Sequence, residues 1–236
     1  LVGQQYLLRD VQLRNVASGA DMNSLVQVAD TATLRGDLRA GVDLTLRSTE
    51  DSIDAANRGA LQDGIRIGSG SVINALPGAN VTLESKGGGI DFGGSIIAKG
   101  GDVKLDVAPT LTSFDPTLAV RLRDGSLIDV GATVVDGAQN GAGIPDREFH
   151  DAGSVSISAM AGYVLAENGA SVTADGLATE IRYFDTRSNT IVSDSVNLAG
   201  GGIALTASEG ILFNGDLSAK AAGVDGRAGS LDVNMT

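Results

Sequence analysis

Carboxylates at matched positions are the groups in this chain whose spacing comes nearest to chemistry. Glu84 and Asp106 close two similar phrases, Val81-Thr82-Leu83-Glu84 and Val103-Lys104-Leu105-Asp106. If the two phrases are adjacent parallel strands, their side chains stand about 4.8 Å apart. That approaches the separation a retaining glycosidase uses for its acid and its nucleophile. The competing reading is a solvated charged face with Lys104 offsetting the negative charge. It is favoured because a hydrolase or lyase face would add a converging Arg, Lys or further Asp, and the next phrase, Val155-Ser156-Ile157-Ser158, brings only serines.

Other candidates are thinner. Asp146, Glu148, His150 and Asp151 cluster within one stretch, but their spacing fits no standard metal motif. His150 is the only histidine and has no Ser or Cys partner in the sequence pattern, so no activated nucleophile can be assembled. No cofactor is implied, and no metal. Gly87-Gly88-Gly89-Ile90-Asp91 shares the outline of a calcium-binding nonapeptide, yet that motif works in tandem copies and there is no second one, which leaves a tight corner. Arg35-Gly36-Asp37 spells a tripeptide that some animal cell-surface receptors recognise. In repeat register it also matches Asn214-Gly215-Asp216, so turn geometry already accounts for Gly36 and Asp37 and only Arg35 discriminates.

The elements that must position these groups come from a recurring phrase: a small residue, then an alternating apolar run. It stands at Gly41-Val42-Asp43-Leu44, Ala79-Asn80-Val81-Thr82-Leu83, Gly101-Asp102-Val103-Lys104-Leu105, Gly153-Ser154-Val155-Ser156-Ile157, Gly201-Gly202-Ile203-Ala204-Leu205 and Gly229-Ser230-Leu231-Asp232-Val233. Repetition of this kind is the signature of a solenoid. Stacking the phrases puts Val42 and Leu44 in line with Val81 and Leu83, and with the apolar pairs that follow, in two inward columns. The outward columns are polar except at Ala204. Further short runs follow each phrase, such as Tyr163-Val164-Leu165-Ala166 and Ser171-Val172-Thr173-Ala174, so one coil holds three strands and three turns. The expectation is an all-β fold, a parallel β-helix of about seven three-strand coils, right-handed because parallel crossovers almost always are.

Successive phrases begin at Val42, Val81, Val103, Val155, Ile203 and Leu231, and only the step from Val81 to Val103 is as short as a bare coil. The excess elsewhere predicts excursions at 48–64, with one short helix, and at 108–118, 137–152 and 177–200. The last reads as a hairpin of Glu180–Phe184 against Thr190–Ser193. Phe114, Phe149, Tyr183 and Phe184, half of the eight aromatic residues, lie in these excursions. Binding on a solenoid is carried by loops that leave the coil, so Tyr183, Phe184 and Phe149 are the partner-binding candidates, with Arg35 and Asp37 beside them.

Composition agrees with a narrow repetitive core. The chain has 236 residues, 42% of them hydrophobic, with 33 glycines, no Trp and no Cys. Its formal charge is −12 with both signs scattered, which argues against nucleic acid and anionic membrane surfaces, since both select clustered Lys and Arg. No signal peptide and no apolar run long enough to span a bilayer is present. Neither end reads as a polar cap, so the chain is expected to be a single β-helix segment of a longer protein.

The wording of the repeats, Gly100-Gly101-Asp102-Val103-Lys104-Leu105 and Asn168-Gly169-Ala170-Ser171-Val172-Thr173-Ala174-Asp175-Gly176, resembles the filamentous haemagglutinin-like exoproteins of Gram-negative bacteria. The resemblance covers most of the chain, and it carries no match to that family's amino-terminal secretion domain. It implies a secreted, cell-surface adhesin exported by two-partner secretion. The implied partners are an outer-membrane transporter during export and then a receptor or glycan on a host or neighbouring cell. It implies no enzyme. The alternatives are a β-helical carbohydrate-active enzyme built on Glu84 and Asp106, and a passive stalk presenting a distant toxin domain.

Overall fold

The computed structural model describes residues 26–27, 42–48, 64–109, 114–139 and 145–236, and among these every regular element is a β-strand. The chain runs in repeated circuits. The first holds β1 (Val26–Gln27), β2 (Leu44–Ser48) and β3 (Ile65–Ile67), and the second β4 (Val72–Asn74), β5 (Val81–Ser85) and β6 (Ile90–Phe92). The third holds β7 (Ser95–Ile97), β8 (Val103–Val107) and β9 (Val120–Leu122). The fourth is β10 (Leu127–Asp129), an inserted pair β11 (Thr133–Gln139) and β12 (Pro145–His150), then β13 (Ser154–Ala159) and β14 (Tyr163–Ala166). The fifth is β15 (Ser171–Thr173), an inserted pair β16 (Leu177–Asp185) and β17 (Thr190–Leu198), then β18 (Gly202–Ala207) and β19 (Gly210–Phe213). Last come β20 (Asp216–Ser218) and β21 (Ser230–Met235).

Strands of successive circuits pair in parallel. They form a first sheet β1-β4-β7-β10-β15-β20, a second β2-β5-β8-β13-β18-β21 and a third β3-β6-β9-β14-β19. The result is an all-β, solenoid-like stack. Among the described residues it has just under six circuits rather than about seven.

Alternation builds the interior. Val81, Val103, Val155 and Ile203 form one buried column of the second sheet, and Leu83, Leu105, Ile157 and Leu205 the other. Ile73, Ile96, Ile128 and Val172 line the first sheet, and Phe92 fills the third. Burying each such side chain contributes roughly 1.5–3 kcal/mol. Aliphatic columns suffice because each circuit meets only its two neighbours.

The small residue that opens each phrase has a steric cause. A methyl group on Gly101, Gly153, Gly201 or Gly229 would overlap the carbonyl oxygen of Ala79, Gly101, Gly153 or Gly201 in the preceding circuit. At the next position a side-chain ladder takes over. Asp43 Oδ1 accepts the Asn80 N–H at 2.9 Å, and Asn80 Oδ1 accepts the Asp102 N–H at 2.9 Å. Asp102 Oδ1 in turn accepts the Ser154 N–H at 2.8 Å and its hydroxyl at 2.7 Å.

The first phrase is corrected by two residues. Leu44 pairs with Val81 and Leu46 with Leu83, in place of Val42 and Leu44. A slip of two keeps the same side chains inward, so hydrophobic pattern cannot choose between the registers. The Asp43–Asn80 bond and an ion pair from Arg47 to Glu84 belong only to the observed one.

The excursions differ in part from expectation. The stretch expected at 137–152 begins earlier, because Thr133 to Asp136 pair antiparallel with His150 to Arg147 and leave the stack as a hairpin. The 177–200 hairpin is as expected, with nine antiparallel pairs from Leu177 with Leu198 to Asp185 with Thr190. Residues 49–63 of the expected 48–64 excursion lie outside the described residues, as do 110–113 of 108–118. Both hairpins leave between a first-sheet strand and a second-sheet strand, in consecutive circuits, so they emerge from one corner.

Candidate functional site

Among the described residues, the two hairpins carry Phe149, Leu177, Tyr183, Phe184 and Ile191 as exposed large hydrophobic side chains. Paired residues of an antiparallel ribbon share a face, so Phe184 stands beside Ile191, and Tyr183 beside Val192 on the opposite face. Phe184, Ile191 and Tyr183 are 48%, 46% and 45% exposed, too open to be counted as core. Phe149, on the neighbouring hairpin opposite Val134, is also exposed. Tyr183, Phe184 and Phe149 are three of the partner-binding candidates taken from the sequence, and the structure brings them to one corner. The other two, Arg35 and Asp37, lie outside the described residues.

Polar groups hold this corner in shape. Asp185 closes the tip, accepting the Arg187 N–H at 2.9 Å, the Ser188 N–H at 3.3 Å and the Ser188 hydroxyl at 2.8 Å. These bonds, that of Arg187 foremost, hold its carboxyl below the ordinary 3.8. Asn189 takes a positive φ of 53°, a conformation Asn tolerates better than most residues, and so completes the turn. Arg147 ties the two hairpins together. Its Nε donates to Asp136 Oδ1 at 2.8 Å within its own hairpin, and its Nη1 to the Glu180 carbonyl at 2.6 Å on the other. Arg147 and Ile191 were not singled out from the sequence. Ile191 was recoverable by pairing the two expected strands, whereas Arg147 acts across 33 residues and leaves no local signal.

The stretch considered for a cation is the root of the first hairpin. His150 Nε2 lies 3.3 Å from Glu148 Oε1, and the histidine packs over Gly78 and Gly100, at tight corners of the two preceding circuits. Asp151 Oδ1 accepts the Ala199 N–H at 2.7 Å, anchoring the exit of the second hairpin instead of joining His150. Among the described residues no three His, Cys, Asp or Glu side chains gather as a metal site.

Glu84 and Asp106 do stand opposite one another on the outer face of the second sheet. Each is engaged by a cation. Arg47 reaches Glu84 Oε2 through Nε at 2.9 Å and Nη2 at 2.8 Å, and Lys104 Nζ reaches Asp106 Oδ2 at 2.8 Å. Their column continues through Ser158, Thr206 and Asn234. The arrangement is a ladder of ion pairs along a sheet face.

A stronger electrostatic cluster lies on the third sheet, where the sequence offers strand and corner residues but no site candidate. Asp91 is buried and sits between Arg66 and Arg121 in strand register. Arg123 grips its carboxylate in a fork, Nε to Oδ1 at 2.5 Å and Nη2 to Oδ2 at 3.1 Å, while Arg66 Nε is 3.7 Å away. Arg123 Nη1 also reaches Glu167 at 3.1 Å, and Glu167 accepts the Asp124 N–H at 3.1 Å. The hydrogen bond to Asp91 raises the Arg123 pKa further above its already high ordinary value. Four successive circuits are thereby joined, a structural role. On the same sheet's flank, exposed Phe114 meets Tyr163 edge to face with ring centroids 5.7 Å apart.

The geometry thus defines a class: an all-β stack of parallel sheets with two antiparallel hairpins projecting from one corner. No protein-family model, curated protein or solved structure matches the chain.

Proposed function

We propose that the chain is a right-handed parallel β-helix segment of a secreted, surface-exposed exoprotein of the filamentous haemagglutinin-like type, and that it serves adhesion without catalysis. The circuit order supports the β-helix reading, since each strand pairs with its counterparts before and after it, and right-handedness follows from the crossover rule. The observation that carries the adhesive reading is the hairpin corner. Tyr183, Phe184, Ile191 and Phe149 are held out from a rigid scaffold in consecutive circuits, where they cover no core of their own. Aromatic side chains held in this way suit a glycan or receptor surface on a host or neighbouring cell. The ion-paired state of Glu84 and Asp106 favours a structural role for that face over acid–nucleophile chemistry.

The test is cell-binding and glycan-array measurement on the chain beside two variants, one with residues 178–197 replaced by a short Gly-containing turn and one carrying Tyr183→Ser and Phe184→Ser. Loss of binding in both, with the β-sheet circular dichroism unchanged, supports adhesion through this corner. Equal binding in all three overturns it, and no binding by the parent chain points to a passive stalk.

A further inference from the structure

The outer face of the third sheet changes character along the stack. Its central column reads Arg66, Asp91, Arg121, Leu165 and Leu212 across β3, β6, β9, β14 and β19. Both oxygens of Asp91 are already engaged, since Arg123 takes the two of them and Arg66 stands at Oδ2. Glu167 is likewise held by Arg123. Arg121 is exposed, and among the described residues its guanidinium has no hydrogen-bond or ion-pair partner. Three guanidiniums thus stand on this face against two carboxylates, in a chain whose formal charge is −12.

Beyond Arg121 the face turns apolar. Leu165 lies beside it in register, and Tyr163 stands on the same side of β14 two residues earlier. The Tyr163 ring lies over Gly210, its register partner in β19, where a methyl group would stand 3.0 Å from Cδ1 and 3.1 Å from Cε1. Phe114 meets that ring edge to face and steadies it from one side. Arg121, Leu165 and the ring over Gly210 span three adjacent strands, about 10 Å along the stack, which is room for about two sugar rings.

We propose that this strip binds a linear acidic polysaccharide of the polyuronate class, laid along the stack axis. A uronate ring carries the two kinds of surface that the strip can meet. Its carboxylate suits a free guanidinium, which grips such a group in a two-point fork. Its face of C–H groups suits the Tyr163 ring and Leu165. An acidic peptide would satisfy Arg121 but has no ring face to lay on Tyr163. The site is separate from the hairpin corner, because both hairpins leave between the first and second sheets.

The experiment titrates the chain with oligogalacturonate and oligomannuronate, with the methyl ester of the first, and with an oligoglutamate peptide, followed by calorimetry and by amide NMR shifts of β9 and β14. The parent chain binds at least one of the two oligouronates and does not bind the ester. Arg121→Gln, which breaks no bond within the fold, weakens binding roughly tenfold, as expected for the loss of a charge-assisted bond. Tyr163→Ala weakens it roughly fivefold. Arg227→Gln, which removes the same charge elsewhere, leaves binding unchanged, and so does replacement of the second hairpin by a short turn. Failure of the parent to bind either oligouronate, equal binding of the ester, or equal binding by Arg121→Gln would each overturn the proposal. Oligoglutamate binding as tight as that of the oligouronates, with the same dependence on Arg121, would overturn it in favour of an acidic peptide. Loss of oligouronate binding in the hairpin replacement alone would overturn it in favour of the corner.

Discussion

Replacing Asp91 tests whether the circuits are held together by more than their aliphatic columns. Its side chain is 7% exposed and its partner Arg123 39%, so the pair lies between the two measured extremes for ion pairs. Exposed pairs contribute about 0.2–1 kcal/mol, whereas stripping one partner from a buried pair costs about 3–5 kcal/mol. Asp91→Ala leaves Arg66 and Arg123 facing a neutral gap, but Arg123 can turn to water and keeps Glu167, so the expected loss is about 2–3 kcal/mol. Arg123→Ala is milder, about 1–2 kcal/mol, because Asp91 retains Arg66. The double variant loses less than the sum, with a coupling energy of about 1.5 kcal/mol. Urea unfolding provides the global value. Hydrogen exchange at Ile90–Phe92 and Val120–Leu122 provides the local one, which matters because a stack of circuits opens piecewise. Additive effects, with coupling below about 0.5 kcal/mol, would refute a clamp and reduce Asp91 to a buried spacer.

Three further outcomes follow from the same geometry. Gly153→Val forces a branched side chain onto the Gly101 carbonyl and separates the third circuit from the fourth, so it lowers stability by at least about 3 kcal/mol, read by thermal unfolding, while Ser154→Ala, which removes only the hydroxyl bond to Asp102, costs about 1 kcal/mol. Leu105→Ala opens a cavity between Leu83 and Ile157 and costs about 2–5 kcal/mol, with the strongest exchange increase in the circuits that flank it. The lowered pKa of Asp185 means that its contribution to the hairpin tip is complete above the ordinary 3.8 and is lost as pH falls through the lower native value. NMR of Arg187 and Ser188 amides should therefore show a tip that is ordered at pH 5 and opens in stronger acid, and Asp185→Asn should remove that transition.

By itself the sequence determined the all-β repeat and the inward columns from Val81 to Leu205, because alternation is a local property and every copy of the phrase carries it. The second hairpin was equally legible, since two apolar runs around Thr186-Arg187-Ser188-Asn189 leave few other pairings. Register in the first circuit was not, because a two-residue slip preserves the apolar face and only side-chain partners such as Arg47 with Glu84 distinguish the choices. The first hairpin was legible only as an excursion, and one that began too late, since Thr133-Val134-Val135 reads as readily as part of a coil. Tertiary structure alone decided that both hairpins share one corner, that Arg147 bridges them, and that Arg123 binds both Asp91, 32 positions away, and Glu167, 44 positions away. It also made Gly101, Gly153, Gly201 and Gly229 contacts between circuits. The physical reason is that periodicity encodes which face of a strand is inward, whereas the partner above and below is set by how the circuits stack, and that is a property of the whole.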